Sequence, residues 1–291
     1  MTEFSLPQTS ARARWQQYKY ILGQNPLSVF SMALFLFFVL VAITGSLWLP
    51  YDPLASNTAI ALQPPNAQHW FGTDHLGRDV FSRVVIATRL DLFIALAAVS
   101  LSSVVGTFLG ALAGYYGGWY DKIIGRMADT ILAFPLFVLA MGIVAALGNS
   151  LINVIYATAI INIPFYIRVA RAEVAIQRKS QYVQAALLSG NSHFRTMLWH
   201  VLPNCLPALM VQLSLNMGWA ILNAAGLSFI GLGVRPPQAE WGIMVAEGAN
   251  YIISGEWWLA LFPGFTLMLA VFCFNLLGDA LRDLVDPQKR T

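Results

Sequence analysis

Residues 184–203 read QAALLSGNSHFRTMLWHVLP, a semi-polar stretch with long apolar runs on either side. Within it Phe194, Met197, Leu198, Val201 and Leu202 recur at the spacing that gathers side chains on one helical face, and His193, Arg195, Thr196 and His200 fall opposite. The preceding YVQAALLSG reads as another short helix of small and apolar residues. Gly190 and Asn191 separate the two, because a positive φ is cheap there, and Ser192 can cap the second helix. The stretch is a helix–turn–helix element at a membrane surface. Its apolar face has three homes open to it: lipid headgroups, the underside of its own bundle, or a groove on a partner.

Working outward, the membrane follows from composition. The chain has 291 residues, 57% hydrophobic and 11% charged, against roughly 25% charged in a soluble domain. A hydrocarbon core of about 30 Å takes roughly 20 apolar helical residues to cross. Six runs qualify, at 27–49, 90–114, 129–147, 151–169, 205–230 and 258–277. The first follows a polar arm and is too long for a signal-peptide core, so it stays as an anchor. Residues 51–89 are polar and turn-rich, a substantial extramembrane loop. YYGGWYDKIIGR is a short loop, GNS joins spans three and four into a hairpin, and WGIMVAEGANYII is a short helix lying at the interface.

Six spans put both termini on one side, and the basic residues choose which. With cytoplasmic termini, Arg12, Arg14, Lys19, Lys122, Arg126, Arg168, Arg171, Arg178, Lys179, Arg195, Arg282, Lys289 and Arg290 lie inside. Only Arg78, Arg83, Arg89 and Arg235 lie outside. The positive-inside rule selects that arrangement, with the stretch at 184–203 in the cytoplasm.

Other constellations have plain structural readings. Cys205 and Cys273 sit in apolar contexts and read as packing thiols. His69, Asp74, His75 and Asp79 could in principle ligate a divalent metal, but a turn-rich loop whose acids pair with Arg78 and Arg83 is the simpler reading. Trp48, Tyr51, Trp70, Trp119, Tyr120, Trp257 and Trp258 lie near span ends, where interface anchoring is the default. GTFLG and GALAG, over Gly106, Gly110 and Gly114, allow close helix packing, inside the chain or against another subunit. Arg282, Asp283 and Asp286 read as a solvated end, with a second contact to a partner as the alternative. No Gly-Lys-Ser or Gly-Lys-Thr occurs, so the phosphate-cradling loop is absent. No ionisable pair and no polar series is assigned to the span interiors, as a self-powered carrier or channel would need. Energy must come from a partner.

The stretch at 184–203 resembles the EAA motif of permease subunits of ABC importers, with Ala185, Ala186, Gly190, Leu202 and Pro203 in register. Gln184 stands in place of the Glu, and His200 where an apolar residue is usual. Gln184 keeps hydrogen-bonding capacity but turns a charge-assisted contact into a neutral one. FGTDHLGRDVFSRVV, GGWYDKIIGRMADTILAFP, LSFIGLGVRPPQAEWGIM and FNLLGDALRDLVDP extend the likeness over nearly the whole chain. They are similar to C-type permease subunits of dipeptide, oligopeptide and nickel importers.

The resemblance implies an all-α, six-span membrane protein with the type I ABC importer permease fold in the bacterial inner membrane. It divides the chain into an arm, first span and periplasmic loop at 1–89, a five-span core at 90–280 and a tail at 281–291. The coupling element at 173–203 would use Gln184, Ala185, Ala186, Gly190, Phe194, Met197, Leu198, Leu202 and Pro203. Implied partners are a homologous second permease, two cytoplasmic ATP-binding subunits, an external solute-binding protein and membrane lipid, with no nucleic acid. ATP and magnesium would sit on the ATPase subunits, leaving this chain without a cofactor, a resident metal or catalytic residues. Short peptides are the expected cargo, with nickel or another small solute as the alternative within the family. A membrane enzyme built on His69, Asp74, His75 and Asp79, and a stand-alone channel or carrier, are the readings from other classes.

Overall fold

The computed structural model describes residues 26–285, with side chains through Arg282. Arg12, Arg14, Lys19, Asp283, Asp286, Lys289 and Arg290, which entered the charge and tail readings, lie outside the described side chains. The described chain is helical, and its strand-like pairing amounts to one antiparallel bridge between Thr73 and Asp79. Helix α1 (Pro26–Thr44) leads through a single 3₁₀ turn to the long loop, and α2 (Val80–Tyr116) follows. Next come α3 (Gly118–Leu132), α4 (Leu136–Leu147) and α5 (Leu151–Gln177). The stretch expected to couple holds α6 (Gln181–Leu188) and α7 (His193–Thr196), the latter running through a π-turn (Met197–Val201) into α8 (Leu202–Phe229). Helices α9 (Trp241–Ala249) and α10 (Trp258–Val285) complete the order.

Among the described residues five helical stretches are long and apolar enough to cross a membrane, and the count reaches six if α3 and α4 form one broken span. The expected straight third span is therefore corrected: α3 and α4 meet at 89°. Pro135 is the cause, since it lacks an N–H and disfavours helix in the residue before it, Phe134. The expected loop YYGGWYDKIIGR contracts to its glycines. Gly117 and Gly118, with φ of 67° and 55°, turn the chain between two helices.

The second span also begins earlier than expected, at Val80 instead of about residue 90. Asp79 caps it, its Oδ2 accepting from Ser82 N and Ser82 Oγ, both at 2.7 Å. Ser82, Arg83 and Thr88 made this segment read as loop, yet all three, like Asp91 in the span itself, are buried on the protein side of the helix.

The glycine stripe of α2 packs inside the chain, which settles the alternative left open by its sequence. A Cβ added at Gly110 would lie 2.5 Å from Ile167 O, and one at Gly114 would lie 2.5 Å from Arg171 O. Backbones of α2 and α5 thus touch directly. Helix α9 is tucked into the bundle and does not lie along its surface. The Trp241 ring is fully buried, edge-on to Phe38 with centroids 6.2 Å apart, and its Nε1 donates to Val84 O at 3.1 Å.

The spans also contain the polar groups that their sequence reading had not assigned. Asn162, Asn216 and Asn223 are buried, with Asn162 Nδ2 bonded to Thr158 O at 2.7 Å and Asn223 Nδ2 to Trp219 O at 2.8 Å. Arg168 and Asp129, at the ends of assigned spans, pair at 3.1 Å. Asn162 and Asn223 satisfy the carbonyl four residues back on their own helix, so neither leaves a sign in charge or run length.

Candidate coupling site

The stretch from Arg178 to Val201 folds as the expected helix, turn and helix, anchored on the C-terminal end of α2. Val183 and Ala186 turn the inner face of α6 towards the bundle, while Gln184, Ala185 and Leu188 are exposed. The turn closes on α6: Gly190 N donates to Leu187 O at 3.0 Å, and Asn191 donates to Ala186 O from both its backbone N and its Nδ2. Gly190 takes φ +86°, a conformation that costs a residue bearing Cβ. Ser192 caps α7 as expected, its Oγ accepting from Arg195 N at 3.3 Å. Tyr115 Oη meets His193 Nδ1 at 3.2 Å, and Arg178 lies over the Tyr115 ring at 5.9 Å.

The apolar face of the second helix divides. Met197 and Val201 are fully buried under the bundle, Leu198 and Leu202 are half-buried, and Phe194 is 48% exposed. Of the named positions, Gln184, Ala185, Gly190, Phe194 and Pro203 are therefore open to a partner, whereas Ala186 and Met197 support them from beneath. Leu188, 89% exposed, belongs to the same outward surface and was not singled out. Its position one turn after Gln184 on α6 was the available signal.

The second helix does not stop at Pro203. Pro203 has no N–H, and its ring would clash with the Trp199 carbonyl in a regular turn. The widened turn relieves that conflict, with Leu202 N bonded to Met197 O. Residues His193–Phe229 consequently form one helical rod of 37 residues, joining the exposed element directly to a span.

At the other end of the bundle the loop before α2 is a buried ionic network. His69 Nδ1 lies 2.9 Å from Asp79 Oδ1. Asp74 accepts from Leu76 N and Arg78 N, each at 2.9 Å, and from Arg78 Nε at 2.6 Å, with Arg83 Nε at 3.7 Å. Glu247 of α9 faces Arg78 at 3.5 Å and Arg83 at 3.9 Å. The expected pairing thus holds for Asp74, whereas Asp79 pairs with His69 and caps α2. The four residues weighed as metal ligands do not converge. Asp74, His75 and Glu247 do bring ligand atoms within 4.8 Å of one another, but Arg78 and Arg83 already balance the two acids. Trp258, expected as an interface anchor, is instead buried against this loop and donates to Thr73 O at 3.3 Å.

Residues 106–291 match the family described as binding-protein-dependent transport system inner membrane component. The chain belongs to that family. Residues 14–65 of this permease also match the N-terminal transmembrane domain of oligopeptide transport permease C. The permease is 44% identical over 282 residues to the "Probable D,D-dipeptide transport system permease protein" of Escherichia coli K12, covering 97% of this chain and 94% of the relative. It is 42% identical to the dipeptide transport system permease protein of Alkalihalophilus pseudofirmus, over 98% of this chain and 93% of the relative. With the nickel transport system permease protein of Escherichia coli K12 it shares 43% identity, over 85% of this chain and 89% of the relative. It is a multi-pass inner-membrane component of an ABC importer and a non-catalytic subunit, ATP hydrolysis belonging to separate subunits.

Proposed function

We propose that this permease supplies half of a translocation path for short peptides and that residues 184–203 couple it to an ATPase. In this reading both termini are cytoplasmic, a homologous permease forms the other half, and two ATP-binding subunits hold ATP and magnesium. An external binding protein delivers cargo beside the loop that precedes α2. Closure of the ATPase pair pushes on Gln184, Ala185, Gly190 and Phe194, and α8 carries the motion into the bundle. Alternating access is then a two-state shift, biased by nucleotide on one side and by the loaded binding protein on the other.

The observation that carries this reading is the exposed element made continuous with a span. Phe194→Cys, with Cys205 and Cys273 replaced, tests it by cross-linking in native membranes. An adduct with a nucleotide-binding chain, changing in yield when ATP is added, is the expected result. Labelling of the new thiol from the cytoplasm without any such adduct would end the coupling role and leave the orientation standing. The peptide cargo rests on the dipeptide names of two relatives, and the nickel relative is as similar in identity. Uptake of a labelled dipeptide, competed by unlabelled dipeptides or by nickel, separates the two.

A further inference from the structure

Two carboxyl groups from distant parts of the sequence hold the first turn of α9. Glu240 caps it, with Oε1 accepting from Gly242 N at 2.9 Å and Oε2 from Ile243 N at 2.8 Å. Asp91, on α2, takes the remaining amide of that turn, its Oδ2 accepting from Trp241 N at 3.1 Å. Both carboxyl groups thus reach successive amides of one helical turn, and both are buried, at 2% exposure for Asp91 and 0% for Glu240. Two carboxyl groups that meet at one buried turn repel if both are ionised, and ionised carboxylates can only accept, so a proton held between them is what lets both stay.

The surroundings offer no counter-charge for a second negative group. On α2, Arg83 is committed to Asp74 and Glu247, and Arg89 is exposed. Helix α8 contributes the Ser228 hydroxyl against Glu240. On α9, Glu247 is itself acidic and faces Arg78 and Arg83. Arg235, in the segment before α9, is exposed. Among the described residues neither Asp91 nor Glu240 enters an ion pair. The N-terminus of α9 offers about half a unit of positive charge, too little to balance two carboxylates. Burial pushes the Glu240 carboxyl above its ordinary range.

We propose that Asp91 and Glu240 share a single proton that fastens α9 to α2, and that losing it sets two buried carboxylates against each other and releases the helix. Released, α9 would slacken the seat of Trp241 and the hold of Glu247 on Arg78 and Arg83, so the loop before α2 follows. The fastening is complete at low pH and lost as pH rises through the titration of the pair. This goes beyond the import role and does not depend on it.

The test is hydrogen exchange of the Trp241, Gly242 and Ile243 amides in the assembled transporter in lipid nanodiscs, corrected for the intrinsic base-catalysed rate. Wild-type protection should be level in acid and then fall about tenfold per pH unit, the slope of one proton. Asp91→Asn should hold its protection throughout, because the amide donates permanently to Glu240 while its oxygen still accepts from Trp241. A level wild-type profile from about pH 5 to 10, or the same fall in Asp91→Asn, overturns the proposal. Should Asp91→Asn fail to assemble, Glu240→Gln decides instead: lower but level protection supports the shared proton, and a wild-type fall refutes it.

Discussion

Gly190→Ala isolates the backbone cost of the turn between α6 and α7. A Cβ at this position would meet nothing within 4 Å, so the substitution brings no clash. What remains is the left-handed backbone at φ +86°, which costs a residue with Cβ about 1–2 kcal/mol. A change of that size moves an equilibrium roughly 5–30-fold. If this turn is the shape received by an ATPase groove, affinity between the permease pair and the ATPase should fall by that factor. Gly190→Asn should stay nearer wild type, because its short polar side chain tolerates the left-handed region. Gly190→Pro should be worst, since its φ is locked near about −65° and the donor to Leu187 O is gone. The assay is ATPase binding to the reconstituted permease pair, read beside the ratio of uptake to hydrolysis. Wild-type affinity in Gly190→Ala, or Gly190→Asn as damaged as Gly190→Pro, would refute the reasoning.

Gly110→Val should drive α2 off α5, because the new Cβ meets Ile167 O at 2.5 Å; a loss of about 1–3 kcal/mol should show as a lower melting temperature of purified protein. Arg83→Ala removes a cation that is 1% exposed and leaves Asp74 and Glu247 short of charge; about 3–5 kcal/mol of destabilisation is expected, measured the same way. His75→Ala should leave uptake near wild type, and so should chelation of divalent cations during a dipeptide uptake assay, because Arg78 and Arg83 already satisfy the neighbouring acids. Cys205 and Cys273, both fully buried, should resist maleimide in the native protein and react after denaturation.

Local pattern carried most of the architecture. Apolar run length located the spans, and Gly190, Asn191 and Ser192 marked the turn and cap of the element at 184–203, because these features are decided within a few residues. Failures came where distant partners decide. Arg83 read as a loop residue, and Asp91 as an unremarked span residue, until Asp74 of the preceding loop and Glu240 and Glu247 of α9 come beside them. The span containing 129–147 read as straight because its apolar content is continuous, while Pro135 redirects it. Phe194 and Met197 share a periodic face, yet only the second finds neighbours under the bundle. Amides such as Asn162 and Asn223 satisfy their own helix, so their burial leaves no trace in charge or length.

The rod from His193 to Phe229 has one further consequence. At 37 residues it is ~55 Å long, so it acts as a lever in which a tilt of about one degree displaces the far end by about 1 Å. The wide turn above Pro203 sets the angular phase of that lever. One residue of extra winding rotates everything beyond it by roughly 100° about the axis. The direction in which a tilt at Phe194 would emerge along α8 therefore depends on the turn at Pro203, with Pro207 a second bend point inside the same rod.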